Sequence, residues 1–541
     1  MATSIVQYFG EQESKCGYCT GTNCSKSHGM HAYRLDCQDY QDLIDRGWRR
    51  CGNYCYKPIN DATCCPCYTI KCDALEFKLT KSNKRTLRRI NKFLRDGKRE
   101  SKEQDDDLDP SASANATCDE GSNVNISEPQ PQLPDRKPTA IDVEQVATNL
   151  AQEKKNVQEK PSGEELKKAE RAIIGGSSVA STKSGGIGSN PPRKKAKQMR
   201  LERRQAKLGS NAERLEKPKS ATAEKSLRDF LNTPRDTDKH KLKIVLVDSS
   251  DTQRTCSDEV HMLYRKYQIA IHNDNPARLT LASMQRFLVN SPLKLRLVNV
   301  HGDEFKRTLA ESYELYKKYQ ITIHNDPPKN CQAYQDHLQV SPMKHEQPSD
   351  GPDKGYGSFH QQYWLDNKLI AVGVIDILPS SVSSVYFFYD PDYSFLSLGT
   401  YGSLREIDLV QSFAAQVPEL KYYYMGFYIH SCPKMRYKGK LSASYLLCPE
   451  TYTWLELTND MCAKLDETKY QRLCPDPDVK DVDEFLEDEH LNNVMLLRDA
   501  KSFTTYGRLV QLCGFDSERD VIIEYSKLVG KTCALRMIYV K

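Results

Sequence analysis

The chain has 541 residues, of which 28% are charged, and its 78 lysines and arginines against 73 aspartates and glutamates leave a formal charge of +5. That length accommodates two or three domains with a sizeable core, so neither disulfides nor metal need supply stability alone. The near balance of charge excludes a molecule that binds nucleic acid over its whole surface and confines any such surface to local patches. The N-terminus, MATSIVQYFGEQESKCGYC, has no basic segment followed by an apolar one, and the longest apolar-dominated run, Leu369 to Leu378, is far too short to span a bilayer. A soluble, intracellular protein with no membrane partner is expected.

The first element is a cysteine-rich region. Ten of the 19 cysteines lie within 72 residues, at 16, 19, 24, 37, 51, 55, 64, 65, 67 and 72. In a reducing compartment such a cluster is a metal site rather than a disulfide scaffold. Cys16-Gly-Tyr-Cys19 is a two-residue knuckle that presents both sulfurs to one ion, and the pair Cys64-Cys65 completes a four-thiolate set, with Cys67 as the alternative ligand. Thiolate-only ligation suits zinc or an iron–sulfur cluster, and the spacing does not choose between them. His28, His31, Cys24, Cys37, Cys51, Cys55 and Cys72 lie close enough in sequence to compete, although structural burial is the common fate of cysteine.

The region closes near residue 97 with TKSNKRTLRRINKFLRD, in which Leu87, Ile90 and Leu94 share one helical face while Lys84, Arg85, Arg88, Arg89 and Arg95 dominate the rest. A basic amphipathic helix is predicted, its cations suited to an RNA phosphate backbone. Residues 98–239 are rich in Lys, Glu, Ser, Asp and Pro and poor in aromatics, the composition of a disordered linker. Within it, PPRKKAKQMRLERRQAK from Pro191 groups enough Lys and Arg to suit a nuclear-import receptor or an RNA backbone, although such basic runs are commonly just solvated tails.

A third domain, 240–541, opens on an internal repeat. LYRKYQIAIHND begins at Leu263 and LYKKYQITIHND at Leu315, each followed by Ser-Pro, and the similarity reaches upstream to KLKIVLV at Lys241 and KLRLVNV at Lys294. The copies span 241–293 and 294–344. Two copies are too few for a solenoid. Beyond them, Val372 to Leu378 and Val382 to Tyr389 are β-branched or aromatic runs, with turn chemistry at Leu365-Asp366-Asn367-Lys368, predicting an antiparallel meander. Leu404, Ile407, Val410 and Phe413 then recur at helical spacing behind a loop at Ser397 to Thr400, and Tyr422 to Ile429 is a further strand. Near the C-terminus RDVIIEYSKLVG and ALRMIYV read as helix and strand.

The strings YGSFHQQYWLDNKLIAVGVIDILP, YFFYDPDYSFLSLGTYGSLREI and YYYMGFYIHSCPKMRYKGK, with CGYC and the adjacent cysteines upstream, closely resemble the eukaryotic arginyl-tRNA-protein transferases. The resemblance implies an α+β protein whose C-terminal domain is a mixed sheet with flanking helices like that of the N-acetyltransferases. It also implies an aminoacyltransferase that moves arginine from arginyl-tRNA to the α-amino group of proteins beginning with Asp, Glu or oxidised Cys, marking them for ubiquitin-dependent degradation. No nucleotide cofactor is required, because the donor ester is already activated. A monomer in cytoplasm and nucleus is expected. The family carries one copy of the repeated segment, so here one copy is expected at the native position, as if alternative exons had been joined; the alternative is a genuine duplication that packs as an extra layer.

Three demands follow from that chemistry. The acceptor's acid needs cations, for which Lys434, Arg436, Lys438 and Lys440 stand ready after the strand end. Donor arginine and tRNA end need carboxylates, an aromatic wall and backbone N–H groups, with Asp376, Asp390, Asp392, Glu406, Tyr386, Tyr389, Ser397, Gly399 and Thr400 as candidates, although Asp390-Pro391-Asp392 is at least as well read as ordinary turn chemistry. His360, His430 and Glu406 are candidates for the proton acceptor. For comparison, a metal-stabilised RNA-binding adaptor explains the cysteines and basic runs but gives the aromatic sheet no purpose, and an acetyltransferase using CoA lacks its Gly-rich pyrophosphate loop.

Overall fold

The computed structural model describes residues 3–19, 21–97, 137–146, 148–149, 251–285, 293–498, 502–514 and 517–541. The basic run from Pro191, the KLKIVLV segment, Ser291-Pro292 and most of the expected linker lie outside these residues. The chain divides into two compact units, residues 1–160 with 265–541, and residues 161–264.

Two mixed sheets organise the larger unit. The N-terminal region supplies β1 (Ile5–Ser14), β2 (Ser25–Arg34), β3 (Arg49–Cys51) and β4 (Tyr54–Pro58) to the first, and then β5 (Tyr68–Asp73) crosses into the second. The second sheet continues with β6 (Leu293–Asn299), β7 (Gly357–Leu365), β8 (Lys368–Ile377), β9 (Ser381–Tyr389), β10 (Tyr422–Tyr428), β11 (Ser444–Leu447) and β12 (Trp454–Glu456). The C-terminal strands β13 (Met495–Arg498), β14 (Ser502–Thr505) and β15 (Ile538–Val540) return to the first. The orders are β14-β13-β15-β1-β2-β4-β3 and β12-β11-β5-β10-β9-β8-β7-β6. The N-terminal and C-terminal regions, distinct in composition, are therefore interlaced: β5 is buried at every residue between β10 and β11, and β15 pairs in parallel with β1.

The meander β7-β8-β9 is antiparallel as expected. Asp366 and Asn367 have φ of 48° and 68°, the two left-handed positions that a tight hairpin needs and that Asp and Asn tolerate. From β9 the chain crosses over to a parallel partner, β10, pairing Tyr422–Tyr424 with Ser381–Ser383 and no further. Beyond that register the two strands part.

The helices include α1 (Cys37–Ile44), α2 (Lys81–Asp96), α3 (Asp258–His272), α4 (Asp303–Tyr319), α5 (Leu398–Ala414) and α6 (Arg519–Arg536). The predicted basic helix is α2, started by a capping box between Thr80 and Asn83 and stopped by Gly97 at φ 65°. Its apolar face, Leu87, Ile90, Phe93 and Leu94, packs on Leu396, Leu398 and Tyr401 at the start of α5, leaving Lys84, Arg85, Arg88 and Lys92 exposed. Crossover helix α5 buries Leu404, Ile407, Val410 and Phe413 as their spacing predicted.

Three expectations change. Part of the expected linker is docked: Ile141, Val143 and Val146 pack on Ile5, Leu497, Ile538 and Val540, while Gln7 and Tyr33 hold Thr139. Three apolar residues in a polar stretch suffice because an apolar face of β13, β15 and β1 receives them. The loop expected at Ser397 to Thr400 is already helical from Leu398, with Ser397 at φ 53° as the entry. Likewise the cationic loop after β10 is a short helix, Pro433–Arg436, followed by a tight turn, Tyr437–Lys440.

The two repeat copies are not equivalent. In the second, β6 pairs with β7, and α4 buries Phe305, Thr308, Ser312, Leu315 and Tyr316. In the first, α3 buries none of its residues, and Met262, Leu263 and Ile271 are about two-thirds exposed, at 67%, 68% and 65%. None of the helices among the described residues is long and apolar enough to cross a membrane.

Candidate active site and cysteine cluster

The parting of β9 from β10 leaves a crevice, the place where an open sheet with parallel strands receives its ligands. A cavity of about 160 Å³ lies there, walled by Ser383 to Phe387 of β9 and by Tyr423 and Met425 to Phe427 of β10. Helix α5 adds Gly399, Ser403 and Glu406. Arg49, Arg50, Cys51 and Tyr56 enter from the N-terminal sheet, and Met435, Tyr437 and Lys438 from the segment after β10.

Glu406 is the carboxylate of this cavity. Tyr423 donates to its Oε2 at 2.6 Å, while Oε1 has no hydrogen-bond partner among the described residues. Burial raises its pKa to about 7, against the smaller opposing pull of Tyr423 and Ser384. Gly373 on β8 makes room for it: a Cβ there would sit 2.7 Å from Oε1. Such a carboxyl, poised near neutrality in a crevice, is suited to moving a proton.

Of the residues singled out in the sequence, Glu406, Tyr386, Gly399 and Lys438 line this cavity. Tyr386 is held by Gln320, which donates to its hydroxyl at 2.8 Å, and Lys438 donates to the Phe427 carbonyl at 3.2 Å. The others are placed elsewhere. His360 is fully buried against α4, Nε2 at 3.0 Å from the Leu338 carbonyl and its ring edge-on to Phe305; burial lowers its pKa to about 4 and keeps it neutral. His430 bridges Tyr428 (2.7 Å) and Asp466 (2.8 Å). Asp376 receives Arg50 through Nε at 2.8 Å and Nη2 at 2.5 Å, and Ser358 at 2.6 Å. Asp390 accepts from Lys318 at 2.5 Å and Lys368 at 2.6 Å; burial raises its pKa, but those lysines prevail and hold it below the usual range. Asp392 shares Lys318 at 2.6 Å, and Tyr389 meets Tyr319 edge-on. Ser397 accepts from Arg89 of α2 at 3.2 Å, and Thr400 lies in the first turn of α5. Arg436 faces Asp466 at 3.6 Å; Lys434 and Lys440 lie on the short helix and the turn.

Sequence reasoning missed Arg49, Arg50, Tyr423 and Gly426. The signal available was the doubled arginine in RGWRRCGNY, a pair of cations with no acidic neighbour in a strand-forming stretch.

The cysteine expectation is met in its coarser form. The sulfurs of Cys16, Cys19, Cys64 and Cys65 lie within 4.8 Å of one another, and those of Cys19 and Cys64 are 3.4 Å apart, near the edge of about 3.7 Å for a tetrahedron of sulfurs about 2.3 Å from a metal. They can hold a metal. Cys67 instead turns its thiol to the Cys65 carbonyl at 3.2 Å. Cys16 and Cys65 pack on Phe427, Ile429, Cys432 and Met435, so the cluster backs directly onto the cavity wall. Tyr18, inside the knuckle, is itself part of that wall.

The family described as arginine-tRNA-protein transferase matches this chain twice, its N terminus over residues 14–85 and its C terminus over 311–448. Arginyl-tRNA–protein transferase 1 of Drosophila melanogaster is 60% identical over 544 residues, covering 100% of both chains. The chain belongs to the arginyl-tRNA–protein transferase family. Arginyl-tRNA–protein transferase 2 of Arabidopsis thaliana is 36% identical over 476 residues, covering 84% of this chain and 75% of the relative. The Saccharomyces cerevisiae member is 36% identical over 209 residues, 38% of this chain and 34% of its own. The C-terminal match contains β7 to β10, α5 and the second repeat copy from residue 311, the copy that packs. The N-terminal match contains all four clustered cysteines and both arginines of β3. In this arginyltransferase the two halves of the family's signature therefore meet at one cavity.

Proposed function

We propose that this protein transfers arginine from arginyl-tRNA to the N-terminal α-amino group of proteins beginning with Asp, Glu or oxidised Cys, which marks them for ubiquitin-dependent degradation. The observation that carries the reading is the cavity between the parted strands β9 and β10, with a buried carboxyl poised near neutrality and cations in its walls. The acceptor nitrogen bonds to the ester carbonyl carbon, the bond from that carbon to the ribose oxygen breaks, and the proton leaving nitrogen passes through the Glu406 carboxylate to the ribose oxygen. The donor is already an activated ester, so no second nucleophile is needed and positioning dominates. Purified protein given labelled arginyl-tRNA with peptides beginning in Asp or Gly decides the matter. Label on the Asp peptide alone is expected; none on either, with the tRNA intact, would falsify the reading.

The tRNA lies along α2 in this proposal, its 3′ end reaching the first turn of α5 where Arg89 meets Ser397. Replacing Lys84, Arg85 and Arg88 by alanine is expected to weaken tRNA binding and flatten the slope of log affinity against log salt by about 0.7 to 0.9 for each phosphate no longer neutralised. Binding titrations at several salt concentrations measure this, and an unchanged slope counts against the placement.

Cys16, Cys19, Cys64 and Cys65 hold zinc or an iron–sulfur cluster in this reading. Zinc staples the wall; a cluster adds sensitivity of that wall to oxygen. Anaerobic preparation with metal analysis and visible absorption separates them, a colourless protein excluding the cluster. Cys64→Ser is expected to lower metal content and, because the cluster backs onto the cavity wall, to raise the acceptor KM. Full metal loss with unchanged KM would show that the wall stands without it.

A further inference from the structure

Three successive arginine environments are built into the N-terminal sheet and its approach. Arg46 pairs with Asp481 at 2.7 Å, and Arg50 with Asp376 at 2.5 Å. Arg49, first residue of β3, is 5% exposed and makes no ion pair among the described residues. Its Nη1 donates to the Trp48 carbonyl at 2.7 Å and its Nη2 to the Gly426 carbonyl at 3.3 Å, and Nε has no partner among the described residues. The guanidinium lies 5.3 Å from the ring centre of Phe427 and 5.8 Å from that of Tyr424. Carbonyls, aromatic faces and the more distant charge of the Asp45 carboxylate offset part of the cost of burying it, but no carboxylate among the described residues pairs with it directly.

The place of this cation matters. Arg49 lines the same cavity as Glu406, beside the bulge of β10 where the register with β5 shifts between Tyr424 and Phe427 and Gly426 adopts φ 73°. A buried arginine with an unused donor, opening on the crevice where chemistry is placed, calls for an anionic group from the ligand. Lys438, on the same cavity, adds positive potential without the planar fork that matches a carboxylate.

We propose that Arg49 determines acceptor specificity, pairing inside the cavity with the side-chain carboxylate of an N-terminal Asp or Glu. The proposal rests on the arginyltransferase reading. A neutral amide in the same position leaves the buried guanidinium unpaired, and a site built around a charged hydrogen bond rejects the analogue that lacks it. Arg49 thereby sorts acidic from neutral N-termini of nearly identical shape.

The test compares two peptides differing only in Asp or Asn at the first position, with full-length protein and saturating arginyl-tRNA. Wild type is expected to favour Asp in kcat/KM. In Arg49→Gln the KM for the Asp peptide is expected to rise about a hundredfold while the Asn peptide moves little, so the preference collapses; tRNA binding stays unchanged. A folded R49Q protein that keeps the wild-type Asp-to-Asn ratio overturns the proposal. If R49Q does not fold, Arg49→Lys decides: it keeps charge but loses the fork, so the Asp KM is expected to rise about tenfold with the Asn peptide unmoved. Equal shifts for both peptides in R49K also overturn it. Absence of transfer by wild type to any peptide is a different outcome, which removes the arginyltransferase reading itself.

Discussion

Glu406→Gln is expected to lower arginine transfer by about a hundredfold or more, the usual contribution of a positioned base, with KM for both substrates little changed. The pH dependence gives the sharper readout. With its pKa raised by burial to about 7, Glu406 accepts a proton above that pH and is already protonated below it, so the wild-type rate rises with pH through about 7. The acceptor's own amine adds a second limb near about 7.7 to 8.0. In the glutamine variant the first limb disappears and the second stays; a peptide whose amine has a lowered pKa separates them.

Stability moves the other way. A carboxyl whose folded pKa is raised above its ordinary 4.5 contributes stability that is fully present below the ordinary value and is lost as pH rises through about 7. Glutamine keeps the Tyr423 hydrogen bond and never ionises, so E406Q is expected to melt higher than wild type at about pH 8 and alike at about pH 4. A variant that loses activity but keeps the pH limb near 7 would assign the proton to another group.

Asp376→Ala is expected to destabilise the larger unit by about 3 to 5 kcal/mol, the cost of stranding a buried charge. Asp376 is wholly buried on β8, and Arg50 reaches it from β3, so one ion pair ties the two sheets together beside the cavity. Ser358 and the carbonyl of Gly52 complete the network, and neither supplies Arg50 with a second anion once Asp376 is gone. Urea denaturation read by fluorescence and by limited proteolysis measures the loss. The pair also predicts recovery: Arg50→Met with Asp376→Leu, removing both charges, is expected to lie within about 2 kcal/mol of wild type. If D376A alone unfolds at the wild-type urea concentration, the pair is not what joins the sheets.

Periodicity made the core of the second sheet legible. The meander, its Asp-Asn hairpin and the crossover helix are local: alternation, a turn with two left-handed residues and an apolar repeat of helical period each act within a few positions. The cysteine set was legible too, because a four-thiolate site needs two short-spaced pairs and the chain offers them. What failed to show was which polar residues share the cavity. Asp376, Asp390 and Asp392 read as candidates to cradle the donor arginine. In the structure Asp376 is engaged by Arg50, 326 residues away in the chain, and Asp390 by Lys318 and Lys368, 72 and 22 residues away. Conversely, the arginines at 49 and 50 stand side by side in the sequence, yet Arg50 is ion-paired and Arg49 keeps an unpartnered Nε among the described residues.

Sequence alone determined the kinds of element and the chemical inventory here: a four-cysteine cluster, a basic amphipathic helix, and a strand–helix–strand crossover. Only the tertiary structure decided that β5 enters the C-terminal sheet, that the second repeat copy packs while α3 of the first buries nothing, and that Glu406 and Arg49 face one crevice. The physical reason is range. Element type follows from neighbours along the chain, whereas the ionisation, pairing and exposure of a charged side chain depend on groups brought near by folding and on the water excluded between them.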